Sequence, residues 1–203
     1  MQQPSEFEVL TAFAKSTERS IEAHETPYPV PNFRVRAYPK FKRTVSISNN
    51  PERSSFFICF QDPFYKVGQS TVYSGAFIPL PVKTKSGLRI RKRTALDKLN
   101  FTSKSKANTT GNQSFDSKVV ITGEMDAEIK KILFQSKIQQ QILKALELDG
   151  FTVVTVNEYK IDFVPELQNT AHLGIINPST WITDRLQVEA FLKLIENMRE
   201  VIR

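Results

Sequence analysis

Apolar residues recur at helical spacing near the start of the chain. Residues 5–20 carry Phe7, Leu10 and Ala14 near one face, and Ser5 can act as the N-cap. Prolines then occupy three alternate positions, 27, 29 and 31. Proline lacks an N–H and biases its predecessor toward extended geometry. We therefore predict an N-terminal helix over residues 5–20, followed by a stiff Pro-rich connector over residues 27–31.

Two long helices are predicted in the second half of the chain. Residues 126–148 carry an apolar stripe made of Ile129, Ile132, Leu133, Ile142, Leu143 and Leu146. Ile138 falls partly off that stripe, which leaves room for a bend near Ser136. In residues 183–201, Thr183 can cap a helix with Leu186, Ala190, Leu194 and Met198 at helical spacing.

Strand patterns fill much of the remainder. Residues 55–61 are almost wholly apolar, which is typical of a strand covered on both faces. Residues 151–156 and 159–164 flank Asn157-Glu158 and predict a hairpin with a two-residue turn. Further strands are predicted over residues 33–38, 43–48, 71–80, 87–91, 118–122 and 173–176.

Together these elements predict one α+β domain over residues 1–203. Its sheet is rich in antiparallel strands, and the two long helices pack on it together with the N-terminal helix. Residues 115–203 form a β-α-β-β-α unit in this prediction. Residues 102–114 are nearly all polar and predict a flexible loop, because they cannot bury enough apolar surface to offset ordering.

Positive charge is concentrated in two segments, residues 34–43 and 83–106. They hold half of the 28 Lys and Arg residues and a single acidic residue, Asp97, in a chain of net charge +7. Clustered charge of this kind favours polyanions, although a solvated strand face explains the same pattern. The candidate polyanion-binding residues are Arg34, Arg36, Lys40, Lys42, Arg43, Arg89, Arg91, Lys92 and Arg93.

Motifs for catalysis and for cofactor binding are missing from the sequence. Two histidines and one cysteine do not have zinc-site spacing, and the glycines form neither a phosphate loop nor a dinucleotide fingerprint. His172 and Cys59 are each expected to be structural rather than catalytic. We therefore predict a non-enzyme without cofactor or metal. With neither a signal peptide nor a membrane-spanning run in this sequence, we expect a cytoplasmic location.

Short anchors within residues 85–165 carry a resemblance to a known family. They are 88–93 (LRIRKR), 96–99 (LDKL), 115–116 (FD), 120–123 (VITG) and 132–133 (IL). This pattern resembles an uncharacterised bacterial family in which a cytoplasmic domain of unknown function commonly follows N-terminal membrane helices. The resemblance implies an α+β fold and bacterial origin, and it supplies no catalytic residues.

The leading functional hypothesis combines this resemblance with the basic segments. It is a non-catalytic binding or scaffold domain peripheral to the inner membrane face, with an anionic membrane surface or a protein as partner. Nucleic-acid binding through residues 34–43 and 83–106 is the alternative. A small enzyme without a recognisable motif is the third hypothesis.

Overall fold

The computed structural model describes residues 4–27, 41–66, 69–99 and 108–203. The helices are α1 (Glu6–Ser16), α2 (Ala95–Leu99), α3 (Gln113–Asp116), α4 (Ala127–Leu133), α5 (Ser136–Ala145) and α6 (Arg185–Ile202). The strands are β1 (Ile21–Pro27), β2 (Phe41–Ser48), β3 (Phe56–Lys66), β4 (Gln69–Pro79), β5 (Leu88–Lys92), β6 (Val119–Gly123), β7 (Val153–Val156) and β8 (His172–Asn177). The predicted α+β class is confirmed.

All eight strands form one antiparallel sheet in the order β1-β2-β3-β4-β8-β7-β5-β6. The first four strands follow the chain as a meander. The last strand along the chain, β8, lies in the middle of the sheet, between β4 and β7. The sheet therefore has a seam at β4–β8, where Gly75 is paired with Ile176.

Both faces of the sheet are buried in its central part. Successive side chains of a strand point to opposite faces, and on β3 both Phe57 and Phe56 are fully buried. The Phe57 face packs against α1, α4, α5 and α6. The Phe56 face is covered by the irregular segment after β7, which contributes Ile161, Val164 and Leu167. The prediction that residues 55–61 form a strand covered on both faces is confirmed.

The predicted helix over residues 126–148 is wrong as a single long element. Asp126 caps α4 by accepting a hydrogen bond from the Ile129 N–H, and this helix already ends at Leu133. Gln135 then adopts an extended backbone (φ −70°, ψ 122°) before α5 begins. The side chain of Gln139 stabilises the break, because its Nε2 donates to the Leu133 carbonyl at 2.9 Å.

The other two predicted helices are present with different ends. Ser5 caps α1 in a capping box with Glu8, as predicted, but α1 ends at Ser16. Glu18, with φ of 55°, then redirects the chain into β1, a strand that the sequence pattern did not predict. The last helix, α6, is capped by Asp184 rather than Thr183, because the Asp184 carboxylate accepts from the Gln187 N–H.

The predicted hairpin between residues 151–156 and 159–164 is wrong. β7 pairs instead with β8, and Val156 lies opposite Leu173. Asn157 stabilises this arrangement: its Oδ1 accepts from the His172 N–H at 2.9 Å, and its Nδ2 donates to the Ser86 carbonyl at 3.0 Å. Residues 159–164 form no strand and supply core side chains instead.

Part of the predicted flexible loop over residues 102–114 is held against the sheet. Asn108 bridges to Ile121 of β6, and Thr110 is buried. The carboxylate of Asp116 accepts hydrogen bonds from the Thr110 and Gly111 N–H groups at 3.0–3.1 Å. Residues 102–107 lie outside the described residues, as do the predicted strand 33–38 and connector positions 28–31.

Candidate anion-binding cleft

The two basic segments are far apart in the sheet where the structure describes them. Lys42 and Arg43 lie on β2, whereas Arg89, Arg91 and Lys92 lie on β5. Four strands separate β2 from β5, which corresponds to about 24 Å at the usual strand spacing. Three further candidates, Arg34, Arg36 and Lys40, lie outside the described residues. The six described candidates therefore do not form one patch.

Three of these candidates are paired with carboxylates. The Nε of Arg43 lies 2.7 Å from Glu25 Oε2 on the neighbouring strand β1. Arg89 contacts Glu158 at 2.7 Å and donates to the Tyr159 hydroxyl at 3.1 Å. Arg91 donates two hydrogen bonds of 2.6 Å to Asp97.

The pairing of Arg91 with Asp97 also shifts the pKa values of both groups. The guanidinium of Arg91 is the main reason why the pKa of the Asp97 carboxyl lies well below its usual range, and the Thr94 N–H and O–H lower it further. Hydrogen bonding to Asp97 in turn raises the pKa of Arg91. Positive charge that is compensated inside the protein contributes little to the attraction of an external polyanion.

The remaining two candidates on this side of the sheet, Lys92 and Arg93, line a cleft of about 230 Å³. The other lining residues are Ser117, Lys118, Leu143, Leu146 and Glu147. The register of β5 and β6 brings the cations together: the Arg93 N–H donates to the Lys118 carbonyl at 2.8 Å, one position beyond the Lys92–Val119 pair. Lys118 therefore stands across from Arg93, where like charges repel.

Hydrogen bonds to the backbone fix one end of the Arg93 guanidinium. Its Nη2 donates to the carbonyls of Asp116 and Val119, at 3.1 and 3.0 Å. Its Nε is buried and has no hydrogen-bond partner among the described residues. A buried donor without an acceptor costs free energy, so an anion that reached Nε would lower the free energy of this site.

The charge of the cleft is uncompensated over the described part of the chain. There, no carboxylate lies within 4 Å of the charged nitrogens of Lys92, Arg93 or Lys118. Of the lining residues that the structure describes, Glu147 alone is acidic. We call Lys92, Arg93 and Lys118 the basic triad; with the Leu143 and Leu146 side chains beside it, the cleft can accept an anionic group that carries apolar atoms.

A larger cleft of about 600 Å³ lies around His172, on the sheet face opposite the helices. His172 is buried, and its ring nitrogens contact the carbonyls of Thr170 and Tyr159 at 3.1 and 2.9 Å. The nearby Glu158 is paired with Arg89. Because both ring nitrogens contact the main chain, His172 is placed to stabilise the segment above the sheet rather than to accept a substrate proton.

Cys59 is fully buried on β3, and this burial raises the pKa of its thiol well above the usual value. Over residues 4–27, 41–66, 69–99 and 108–203, no group of three His, Cys, Asp or Glu side chains could hold a metal ion. In the same ranges, no helix has the length and apolarity that a membrane span requires.

Neither the models of known protein families nor the curated proteins include a match to this chain. Sequence reasoning identified Lys92 and Arg93 but did not include Lys118, 25 positions beyond Arg93. The available signal was the pair of predicted strands 87–91 and 118–122, because antiparallel pairing of these neighbours would have placed Lys118 beside Arg93.

Proposed function

We propose that this protein is a non-catalytic binding domain that docks on the anionic inner face of a membrane through the basic triad. The observation that carries the proposal is the contrast between three paired cations and the three cations of the cleft, of which Lys118 was not predicted from the sequence. Arg43, Arg89 and Arg91 have carboxylate partners, whereas Lys92, Arg93 and Lys118 have none among the described residues. A Lys or Arg near an anionic leaflet contributes about 1 kcal/mol, so three cations that line one cleft give weak, reversible recruitment.

Apolar side chains near the triad favour a membrane over a nucleic acid. Among the residues that the structure describes, the cleft lining includes two leucines and no aromatic ring on which a base could stack. Leu96, three residues beyond Arg93 on α2, is 71% exposed. An exposed aliphatic side chain beside cations suits the boundary between lipid headgroups and acyl chains.

Vesicle binding tests the proposal directly. The wild-type protein is titrated with phosphatidylcholine vesicles that contain phosphatidylserine, and with pure phosphatidylcholine vesicles as reference, at low salt and at about 0.15 M salt. We expect binding to the anionic vesicles that weakens with salt. In K92Q/K118Q the partition coefficient should fall by about 30-fold, because two contributions of about 1 kcal/mol are lost.

The matched control removes two lysines elsewhere on the surface. Lys15 on α1 and Lys193 on α6 are exposed and do not line the cleft, so K15Q/K193Q has the same net charge as the cleft variant. The proposal is wrong if both double variants lose affinity equally, since binding would then follow net charge alone. It is also wrong if a single-stranded or duplex oligonucleotide binds more tightly than the vesicles at about 0.15 M salt and needs the same lysines.

A further inference from the structure

A third cleft lies beside the last turn of α6. Its volume is about 230 Å³, and its wall is formed by the end of β4 and the residues that follow. The lining residues are Ser54, Ile78, Pro79, Leu80, Pro81, Arg199, Ile202 and Arg203. Five of these eight side chains are apolar, and the two prolines have no N–H to offer. The cleft is therefore an apolar wall with two cations at one side.

Arg199 is the polar group that distinguishes this cleft. Its side chain is 16% exposed, and its Nε lies 2.7 Å from Glu196 Oε2. Its Nη1 is buried and has no hydrogen-bond partner among the described residues. Guanidinium groups donate through five N–H bonds in a planar fork, and one side of this fork is engaged by Glu196.

Both carboxylate oxygens of Glu196 already accept hydrogen bonds. Its Oε1 accepts from the amides of Asn49 and Asn50, both at 3.2 Å, and from the Ser55 hydroxyl. The carboxylate thus fixes Arg199 while also joining α6 to the turn between β2 and β3. Arg199 is held in place before any ligand binds, which lowers the entropy cost of binding.

Arg203 lies one helical turn beyond Arg199, and its N–H donates to the Arg199 carbonyl at 3.1 Å. Side chains four residues apart share a helix face, so Arg203 adds a second cation at the same side of the cleft. The hydroxyl of Ser54 can also donate a hydrogen bond. Carboxylates are the planar partners that match a guanidinium fork.

We propose that this cleft binds an aliphatic monocarboxylate, with the carboxylate on Arg199 Nη1 and Arg203 and the alkyl chain against Pro79, Pro81 and Ile202. The cleft volume of about 230 Å³ is well above the roughly 10–15 Å³ that a single water needs, so a small organic molecule has room there. A carboxylate that reaches Nη1 satisfies this donor. Its alkyl chain covers the exposed parts of Pro79, Pro81 and Ile202.

Octanoate is the probe, followed by amide chemical shifts in two-dimensional NMR. We expect saturable shifts confined to Leu80, Ile202 and their neighbours, and no comparable shifts with 1-octanol or octylamine. R199Q should weaken octanoate binding at least tenfold, because a charged hydrogen-bond donor is lost. R203Q should weaken it about threefold, as expected for a more exposed charge.

The matched control is R185Q, because Arg185 is exposed at the opposite end of α6. It should leave octanoate affinity unchanged. Arg199 is also hydrogen-bonded to Glu196, so R199Q can fail to fold. In that case the octanoate affinity of R203Q still tests the proposal. The proposal is overturned if octanoate shifts no residue of the cleft, if octanol binds equally well, or if R203Q and R185Q have the same effect. It does not depend on the basic triad, which lies elsewhere.

Discussion

Arg91 and Asp97 form a bidentate ion pair, with two hydrogen bonds of 2.6 Å between the guanidinium and the carboxylate. The pair joins β5 to α2 within the more basic of the two segments. The sole acidic residue of residues 83–106 therefore compensates one specific cation and leaves Lys92 and Arg93 uncompensated. Position in the fold, rather than charge density along the chain, decides which cations face a partner.

The Arg91–Asp97 pair predicts a pH dependence for D97N. Because the pKa of Asp97 lies below its usual value of about 3.9, its carboxylate stabilises the fold above that pH, and this contribution is lost as pH falls toward the lower folded pKa. We expect D97N to lower the urea midpoint relative to wild type at about pH 6, and the difference to shrink at about pH 2.

D162N is the control for this experiment, because Asp162 is paired more loosely, at 3.6 Å from an exposed Lys160. It should change the midpoint little at either pH. An equal loss in D97N at both pH values would contradict the role of the charged pair.

The seam between β4 and β8 predicts a severe effect of G75A. A Cβ at Gly75 would lie 2.1 Å from the Ile175 carbonyl oxygen and 2.8 Å from the Ile176 Cα, so the backbones of two central strands would have to separate. We expect a loss of about 3 kcal/mol or more in the free energy of unfolding. G87A is the matched control, since no atom lies within 4 Å of its added Cβ. Similar unfolding curves for the two variants would contradict this packing.

Burial predicts slow modification of Cys59. The thiol is fully buried on β3, and desolvation, with a smaller contribution from the charge of Glu6, raises its pKa and disfavours the reactive thiolate. A thiol-specific chromogenic reagent should label the native protein far more slowly than the urea-unfolded protein. Cys59 is the one cysteine of the chain, so the signal has a single source. Rapid stoichiometric labelling in the native state would show that β3 is accessible.

Asp116 predicts where a protease can cut the polar segment. Its carboxylate holds the N–H groups of Thr110 and Gly111 and accepts from the Thr110 hydroxyl at 2.9 Å. We expect proteinase K to spare residues 108–114 in the wild type and to cleave them faster in D116N, which loses charge-assisted hydrogen bonds. E124Q is the control, because Glu124 is exposed beyond the end of β6. Cleavage that is equally fast in wild type and D116N would argue against this anchor.

The elements that the sequence predicted well are those with a buried face. The apolar pattern located β3, β4 and α6 because both the period and the burial agree there. β1 was not predicted, because as an edge strand it exposes every residue after Ile21 and shows no apolar alternation. The single helix predicted over residues 126–148 kept its apolar stripe on both sides of Gln135, and the break depends on a side chain, Gln139, that returns to the Leu133 carbonyl.

The candidate site was predictable only in part for a related reason. The sequence identified clustered cations, but not every partner is close along the chain: Asp97 is 6 positions from Arg91, whereas Glu158 is 69 positions from Arg89. Long-range pairing of this kind decides which charges remain uncompensated. Neither the local sequence pattern nor the net charge reveals this long-range pairing.

The position of β8 between β4 and β7 has a consequence for protein synthesis. The β1–β4 meander needs only neighbouring segments, whereas the β4–β8 ladder joins Pro79 to His172, more than ninety residues later. A ribosome adds about 5–20 residues per second, so the apolar strand β4 is synthesised roughly 5–20 s before its partner strand β8. During that interval its free edge can pair with another nascent chain. Translation speed across residues 80–177 therefore bears directly on how much of the protein reaches the folded state.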